Sequence, residues 1–384
     1  MRRLVVIVCG ALALVLIVMS QPAKARSERS ERPGRAAQTG QAELRRLMRR
    51  LTEQDGAIGA QALVTAARRR TAIAEGRGDL RTGTPMPSGG RFRAGSLTKP
   101  FVATVVLQLV GEGKVALDAP VDRYLPGVVR GNGNDGRQIT VRHLLQQTSG
   151  LPDYLRYLTP QELIETRFHH REPLDLLAVA LAHGRLFEPG KEWGYSNTNY
   201  LLAALLIERV TGRTHGQEIA RRIARPLGLR DTYVPSGTFI AGLHPRGYVK
   251  PGAEPEAEPL DVTELDPSMA FGSGDLISSA KDVNRFLGAL VTGRLLRPAQ
   301  LKEMMTTRPT GVSPGDAYGL GLRRSSLDGC TGEFWGHGGD MLGFSTRSGV
   351  TADGRRRVTV MTTLNPGGTQ AQKDDQQLAV SAAL

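Results

Sequence analysis

The chain has 384 residues, two cysteines and a formal net charge of +13. Such an excess of positive charge suits a polyanionic partner, either a cell-wall polymer or a nucleic acid, through an attraction that weakens with salt. Two features argue against a nucleic-acid partner: the chain has no nucleic-acid-binding motif, and its first residues predict an export signal.

The first 25 residues have the pattern of a secretory signal peptide. Met1–Arg3 precede an uninterrupted apolar run, Leu4–Met19, and Ala23–Ala25 forms a small-residue cleavage site. Cleavage there would lower the net charge from +13 to +10 and remove Cys9, leaving Cys330 without an internal disulfide partner. The alternative is an uncleaved membrane anchor, since the apolar run is only slightly too short for a span. We expect a secreted protein, associated with the cell wall through its charge.

Helix and strand signals begin after a polar segment. Residues 26–41 are rich in Arg, Ser, Glu, Pro and Gly and predict a linker. A helical pattern runs from Ala42 to about Glu53, and Ile58–Ala66 and Arg70–Ala74 have the composition of two strands. The long apolar run Pro100–Val110 then predicts a buried helix.

The middle of the chain, from Gly113 to Asp275, has mainly helical signals separated by Pro and Gly. The predicted helices there are 140–147, 160–167, 173–183, 198–211 and 216–224. Later elements are helices over 281–290 and 374–383 and strands over 318–323, 333–336, 343–348 and 357–363. Strands at both ends predict an α+β protein: an antiparallel sheet flanked by helices, from 42–112 and 276–384, interrupted by an all-helical domain over 113–275. The cleft between these two domains is the expected place for a site.

Ser96 and Lys99 are the first candidates for catalysis. On a helix, residues three apart share a face, so the hydroxyl and the amine can meet. A serine becomes a nucleophile beside a base, and a lysine can serve if its pKa is lowered. An S-x-x-K pattern arises roughly once by chance in a chain of this length, and Ser278–Lys281 is a second copy. There Ser279 is better explained as a helix N-cap with Asp282 in the first turn.

Two further motifs select Ser96 over the second copy. Tyr195-Ser196-Asn197 follows it by about 100 residues, and His337-Gly338-Gly339 comes about 140 residues later. Tyr195 and Lys99 start with similar pKa values, so either could take the proton of Ser96, a question left open here. Each of these residues could also have a purely structural role. Tyr195 could be a half-buried aromatic residue, Asn197 a helix N-cap, and His337 a strand residue whose ring nitrogens are hydrogen-bonded within the protein.

The remaining residues of these motifs also have possible roles in the chemistry. The Asn197 amide could hold a substrate carbonyl and orient Lys99, while His337 could offer a proton or partial positive charge to the leaving group near neutral pH. Gly339 has no side chain, so a substrate backbone can lie against its strand. The backbone N–H groups of Ser96 and Asp340 would form an oxyanion hole.

These motifs resemble those of the class C β-lactamases and penicillin-binding proteins, especially the secreted D-alanyl-D-alanine carboxypeptidases of streptomycetes. The resemblance covers roughly residues 41–384. It is supported by stretches in addition to the three motifs: 92–101, 117–121, 139–145, 148–152, 318–321, 335–339 and 343–344. It implies a β-lactamase/transpeptidase-like fold, no cofactor and no metal. We expect a monomer that acts on a small peptide, β-lactam or ester substrate.

The resemblance implies a serine hydrolase of peptidoglycan stem peptides, a D-alanyl-D-alanine carboxypeptidase that also binds penicillin. In relatives, an arginine before the H-x-G strand helps to bind the C-terminal carboxylate; Arg324 matches it, with Arg323 as the fallback. Relatives also use hydroxyl residues there, but this chain has Gly338 and Asp340, and a carboxylate would repel the substrate unless it points away. A β-lactamase, an esterase of the same fold and a non-enzymatic binding module are therefore kept as alternatives.

Two other patterns are given structural interpretations. Gly311–Gly315 matches G-x-S-x-G, but it lacks the strand and helix of a nucleophile elbow, so it is predicted to be a surface loop. His169, His170 and His183 lack the spacing of zinc ligands.

Overall fold

The computed structural model describes residues 33–67, 69–250, 257–327 and 332–384, with side chains from residue 40 onward. The predicted signal peptide, Cys9 and Cys330 lie outside these residues. In the described part, no helix is both long and apolar enough to cross a membrane. The predicted linker is described only from Pro33, where it is already helical.

The helices and strands follow in chain order. The helices are α1 Pro33–Glu53, α2 Thr98–Gly111, α3 Val141–Leu145, α4 Pro160–Glu165, α5 Pro173–Leu181, α6 Asn197–Thr211, α7 His215–Ile219, α8 Arg225–Leu227, α9 Ala280–Val291, α10 Pro298–Met305 and α11 Gln370–Ala383. The strands are β1 Gly59–Ala66, β2 Arg69–Gly76, β3 Arg91–Arg93, β4 Arg130–Gly131, β5 Asn134–Asp135, β6 Tyr248–Val249, β7 Leu260–Asp261, β8 Ile277–Ser279, β9 Arg308–Pro309, β10 Ala317–Tyr318, β11 Arg323–Ser326, β12 Glu333–Met341, β13 Phe344–Thr351 and β14 Arg356–Thr362.

Both ends of the described chain build one antiparallel sheet of order β2-β1-β14-β13-β12-β11-β10-β9. Ala60 pairs with Thr362 and His337 with Ser348. The pairing of β11 with β12 ends at Arg323 and Gly336, so β12 extends beyond this partner. The α+β architecture with helices inserted between the two sheet segments agrees with the sequence prediction. The inserted segment is not all-helical, however, because it also contains the strand pairs β4–β5 and β6–β7.

One face of the sheet is covered by the terminal helices. The apolar stripe of α1, which includes Leu47 and Leu51, packs with Val360 of the sheet and Val380 of α11. A stripe of this spacing is the pattern that predicted a helix from residue 42.

The larger core cluster contains residues of α2, α9 and the inserted helices. Nearly every residue of α2 is buried, which explains its continuous apolar sequence. The tight turn Gly95–Leu97 leads into α2. This turn places Ser96 where the sheet meets the inserted helices.

Candidate active site

Ser96, Lys99 and Tyr195 meet in a cleft of about 730 Å³ between the sheet and the inserted helices. The Ser96 Oγ lies 2.9 Å from the Lys99 Nζ and 2.7 Å from the Tyr195 Oη. The i, i+3 spacing brings the serine and the lysine together, as the motif predicted. Tyr195 lies just before α6 and reaches Ser96 from the opposite wall.

The Lys99 amine is completely buried and has three oxygen partners. Besides Ser96, it donates to the Asn197 Oδ1 at 2.8 Å and to the Ser273 carbonyl at 2.8 Å. The amide oxygen and the backbone carbonyl can only accept. A neutral amine would therefore use two N–H groups on them and direct its lone pair at Ser96.

Burial lowers the pKa of Lys99 to about 7, against the opposing effect of the carboxylates of Asp153 and Asp275. A substantial fraction of the amine is thus neutral near pH 7. Burial raises the pKa of Tyr195 well above its usual value of 10, so its phenol keeps its proton. This contrast favours Lys99 as the base.

Asn197 orients Lys99, but its amide nitrogen is occupied. The Nδ2 donates to both carboxylate oxygens of Asp153, at 3.0 and 3.2 Å, so it does not point freely toward a substrate carbonyl. The N-cap of α6 is Ser196, which excludes the capping alternative for Asn197. Asp153, which the sequence analysis missed, holds the amide whose oxygen positions Lys99.

His337 lies beside this group but does not have the predicted chemistry. Its Nε2 is 2.9 Å from the Tyr318 hydroxyl, and its Nδ1 contacts the Gly338 carbonyl. Because that carbonyl only accepts, Nδ1 carries the hydrogen and Nε2 accepts from Tyr318. Burial and the nearby charge of Lys99 lower the pKa of His337 to about 3. The expected proton donor is therefore a neutral imidazole near pH 7.

The strand β12 passes very close to the turn that carries Ser96. A Cβ on Gly339 would lie 1.9 Å from the Ala94 carbonyl oxygen, and one on Gly95 would lie 2.9 Å from the backbone nitrogen of Asp340. Gly339 is therefore required by packing within the protein itself. The same approach brings the backbones of Ser96 and Asp340 to one end of the cleft, where they could bind an oxyanion.

The Asp340 side chain turns toward the neighbouring strand. Its Oδ1 accepts from the Ser345 hydroxyl at 2.6 Å and from the Arg347 guanidinium at 3.1 Å, and about half of the carboxylate side chain is exposed. Gly338 lies across from Arg347. Asp340 and Arg347 together carry no net charge at this end of the cleft.

The arginine expected to bind a substrate carboxylate is not Arg324. Successive strand residues point to opposite faces, and only Arg323 lines the cleft. Arg324 instead lies 3.5 Å from Glu333. The Arg323 guanidinium is bound by both oxygens of the buried Asp316, one of them at 2.6 Å. The preferred position was therefore wrong, and the fallback arginine is already paired.

The site also contains residues that the sequence reasoning did not assign. They are Asp153, Ser273, Asp316, Tyr318 and Arg347. The family-like stretches 148–152 and 318–321 touch or include two of them, and this was the signal available. Asp316 and Arg347 lie two or three residues outside such stretches, whereas Ser273 is far from all of them.

The other two patterns occupy structural positions. Ser279 caps α9 by accepting from the Asp282 backbone N–H. Residues 311–315 form an exposed turn between β9 and β10 at the mouth of the cleft, not a strand–turn–helix. Within the described ranges, no group of three His, Cys, Asp or Glu residues could hold a metal ion.

The fold and the cleft have known relatives. A family model described as Beta-lactamase matches residues 44–383. Penicillin-binding protein 4* of Bacillus subtilis is 29% identical over 68% of this chain, but the match spans only 58% of its own length. Esterase EstB of Burkholderia gladioli is 31% identical over 66% of this chain and 71% of its own. The crystal structure of a D-stereospecific amidohydrolase from Streptomyces sp. has a TM-score of 0.79 and 39% identity, covering 87% of this chain and 98% of that protein.

Proposed function

The chain belongs to the beta-lactamase family, and from this premise we propose that it hydrolyses amides of D-amino acids through an acyl-enzyme on Ser96. The coarser statement, a serine hydrolase of this fold, follows from the family and from its penicillin-binding, esterase and amidohydrolase relatives. The amide and the D configuration are supported by the D-stereospecific amidohydrolase from Streptomyces sp., which matches over almost its whole length. The amino-acid part is supported by the D-amino acid amidase from Ochrobactrum anthropi SV3, which is 26% identical with a TM-score of 0.78 over 90% of this chain and 98% of its own.

The charge of the cleft argues against a carboxypeptidase. Among the described residues that line it, the arginines are Arg323 and Arg347, and each is paired with an aspartate. A C-terminal carboxylate in this cleft would therefore meet guanidinium–carboxylate pairs that carry no net charge, not a free cation. A substrate with an uncharged amide or ester at its carboxyl end needs no such cation.

The reaction follows from the contacts of Lys99. Its neutral amine takes the hydroxyl proton of Ser96 while the Oγ attacks the amide carbon, and the developing oxyanion lies at the backbone N–H groups of Ser96 and Asp340. Tyr195 passes a proton to the departing nitrogen, which leaves as ammonia or an amine, and the proton on Lys99 restores the phenol. A water molecule then attacks the acyl carbon and gives a proton to Lys99. The bond between this carbon and the Ser96 Oγ breaks, Lys99 returns the proton to the Oγ, and the D-amino acid leaves.

The test measures ammonia release from D-phenylalaninamide and L-phenylalaninamide, with Ser96→Ala as the matched control. We expect turnover of the D-amide, little with the L-amide and none in the variant. A peptide ending in D-alanyl-D-alanine should release no D-alanine. Release of D-alanine with no amide turnover would contradict the proposal and restore the carboxypeptidase predicted from the sequence.

An esterase is the second candidate, because the paired charges of the cleft do not distinguish a neutral ester from a neutral amide. A p-nitrophenyl ester with an achiral acyl group distinguishes the two. Fast ester cleavage without hydrolysis of either amide would favour the esterase. An intact-mass measurement after benzylpenicillin adds a third comparison, since a long-lived adduct on Ser96 would indicate a penicillin-sensitive peptidase.

A further inference from the structure

The loop 270–276 supplies one of the three oxygen partners of the Lys99 amine. The Ser273 carbonyl that binds Lys99 lies at the centre of this loop. The loop is pressed onto α6, since a Cβ on Gly272 would lie 2.2 Å from the Ala204 Cβ. Its last residue, Leu276, is bonded through its backbone N–H to the Thr98 hydroxyl, next to Lys99. The position of the amine therefore depends on the conformation of this loop.

Asp275 connects the loop to itself and to α7. Its Oδ2 accepts from the Gly272 backbone N–H at 2.8 Å, which closes the turn around Ser273. The same oxygen lies 2.8 Å from the His215 Nε2 at the start of α7. Both side chains are almost completely buried.

His215 is held as a cation between two carboxylates. Its Nδ1 lies 3.1 Å from the Glu208 Oε1, so each ring nitrogen faces an oxygen that only accepts. Its ring also contacts the Phe271 ring of the loop edge to face at 4.6 Å. Burial alone would lower the pKa of His215, but Asp275 and Glu208 together raise it to about 9.

We propose that His215 and Asp275 are positioning residues, which fix the Ser273 carbonyl on the Lys99 amine and set the charge that the amine experiences. This proposal rests on the role of Lys99 in the proposed function. The amine has hydrogen bonds to Ser96, Asn197 and the Ser273 carbonyl. The rings of Tyr195 and Tyr200 also face it. The titratable groups that interact with its charge are Asp153, Asp275 and His337. His215 does not face the amine itself; it is the buried cation that is paired with Asp275 and offsets its charge.

Two variants should move the titration of Lys99 in opposite directions. In His215→Gln the amide can still donate to Asp275, but the positive charge is lost, so the negative charge near Lys99 is stronger. We expect the acid limb of the pH profile to shift upward. In Asp275→Asn the amide oxygen can still accept from Gly272, but the negative charge is lost, so the limb should shift downward. Each shift should reach about half a pH unit, with a roughly tenfold loss of rate from the displaced loop.

The readout is the pH dependence of Ser96 labelling by a fluorophosphonate, followed by intact mass. It requires no natural substrate, so it remains informative if the protein does not hydrolyse D-amides. The matched control is Glu218→Gln in α7, the helix that also carries His215. It breaks a buried ion pair with Arg222, which lies in the helical turn that follows α7, away from the loop. We expect it to lower stability and leave the labelling profile in place.

Three results would overturn the proposal. The first is that the His215 and Asp275 variants lose stability like the control, with no change in their profiles. The second is that both profiles shift in the same direction. The third, no labelling of the native protein at any pH, would overturn the role of Ser96 as well.

Discussion

At the scale of single residues, the burial of Lys99 supports its proposed role as the base. Its pKa of about 7 lies well below that of a free lysine. We therefore expect kcat/KM for a D-amino-acid amide to rise about tenfold per pH unit below pH 7 and to level off above it. A profile that is flat between pH 5 and 9 would exclude Lys99 as the titrating base.

Gly339 provides a second residue-scale prediction. In Gly339→Ala the new Cβ would overlap the Ala94 carbonyl oxygen, so β12 must move away from Ser96. We expect a loss of roughly 1–3 kcal/mol of stability and at least a tenfold loss of labelling, since small displacements of catalytic groups cost about 100-fold. Gly89→Ala is the control, because no atom lies within 4 Å of its Cβ position. Equal behaviour of the two variants in urea unfolding and labelling would contradict this account.

The contacts among Ser96, Lys99 and Tyr195 could be predicted from the sequence because short motifs contain these residues. Ser96 and Lys99 are neighbours on one helical turn, so their contact follows from local geometry. The neutral state of His337 could not be predicted, because it depends on burial and on the distant Tyr318. The error at Arg324 has a simple cause: an offset of one residue on a strand reverses the face.

At the scale of elements, Asn284 ties α9 to two strands of the sheet. Its Nδ2 donates to the Leu63 carbonyl at 2.8 Å, and its Oδ1 accepts from the Thr359 hydroxyl at 2.9 Å. Asn284→Ala leaves these buried groups unpaired, so we expect a loss of about 1–3 kcal/mol in urea unfolding. Lys281→Ala, on the exposed face of the same helix, should change stability by less than about 0.5 kcal/mol. A similar loss in both variants would mean that these hydrogen bonds contribute little.

The ends of most helices and strands were predicted within a few residues, because the spacing of apolar residues and the residues typical of turns are local signals. The strand predicted over 318–323 is an exception, since it is divided into β10 and β11. Gly321 has a φ of +77° in the intervening turn, and a Cβ there would lie 2.6 Å from the Ala103 Cβ of α2. The break thus results from packing on another helix. The early start of α1 at Pro33 was also missed, because the polar composition there resembles that of a linker.

At the scale of the whole molecule, the buried charge on His215 links stability to pH. The folded-state pKa of about 9 lies above the ordinary value of 6.5. Protonated His215 therefore makes its full contribution to the free energy of unfolding below pH 6.5. This contribution, at most about 3 kcal/mol, is lost as pH rises through 9. Urea unfolding at pH 6.5 and 9.5 should show this loss in the native protein and not in His215→Gln. An equal pH dependence of the two proteins would contradict the linkage.

The sequence also predicted the overall plan, an antiparallel sheet from both ends of the chain with helices between them. The family match agrees with this β-lactamase/transpeptidase-like fold. Secretion, cleavage of the first 25 residues, association with the cell wall and the monomeric state stay predictions. The proposed substrate class could not be derived from motifs, because it rests on ion pairs such as Asp316 with Arg323, which lie outside them.

The pairing of β1 with β14 has a consequence for how the protein acquires its structure. Ala60 and Thr362, which are partners in the sheet, are separated by about 300 residues of chain. Contacts this distant in sequence form slowly, because a large loop must close before they can stabilise anything. During synthesis, β1 and β2 are made long before β12, β13 and β14, with which they form the sheet. The inserted helices, in contrast, pack on segments that are close to them in sequence. Until β14 is made, β1 has an unpaired edge that can bind other chains, so this is the stage at which aggregation is most probable.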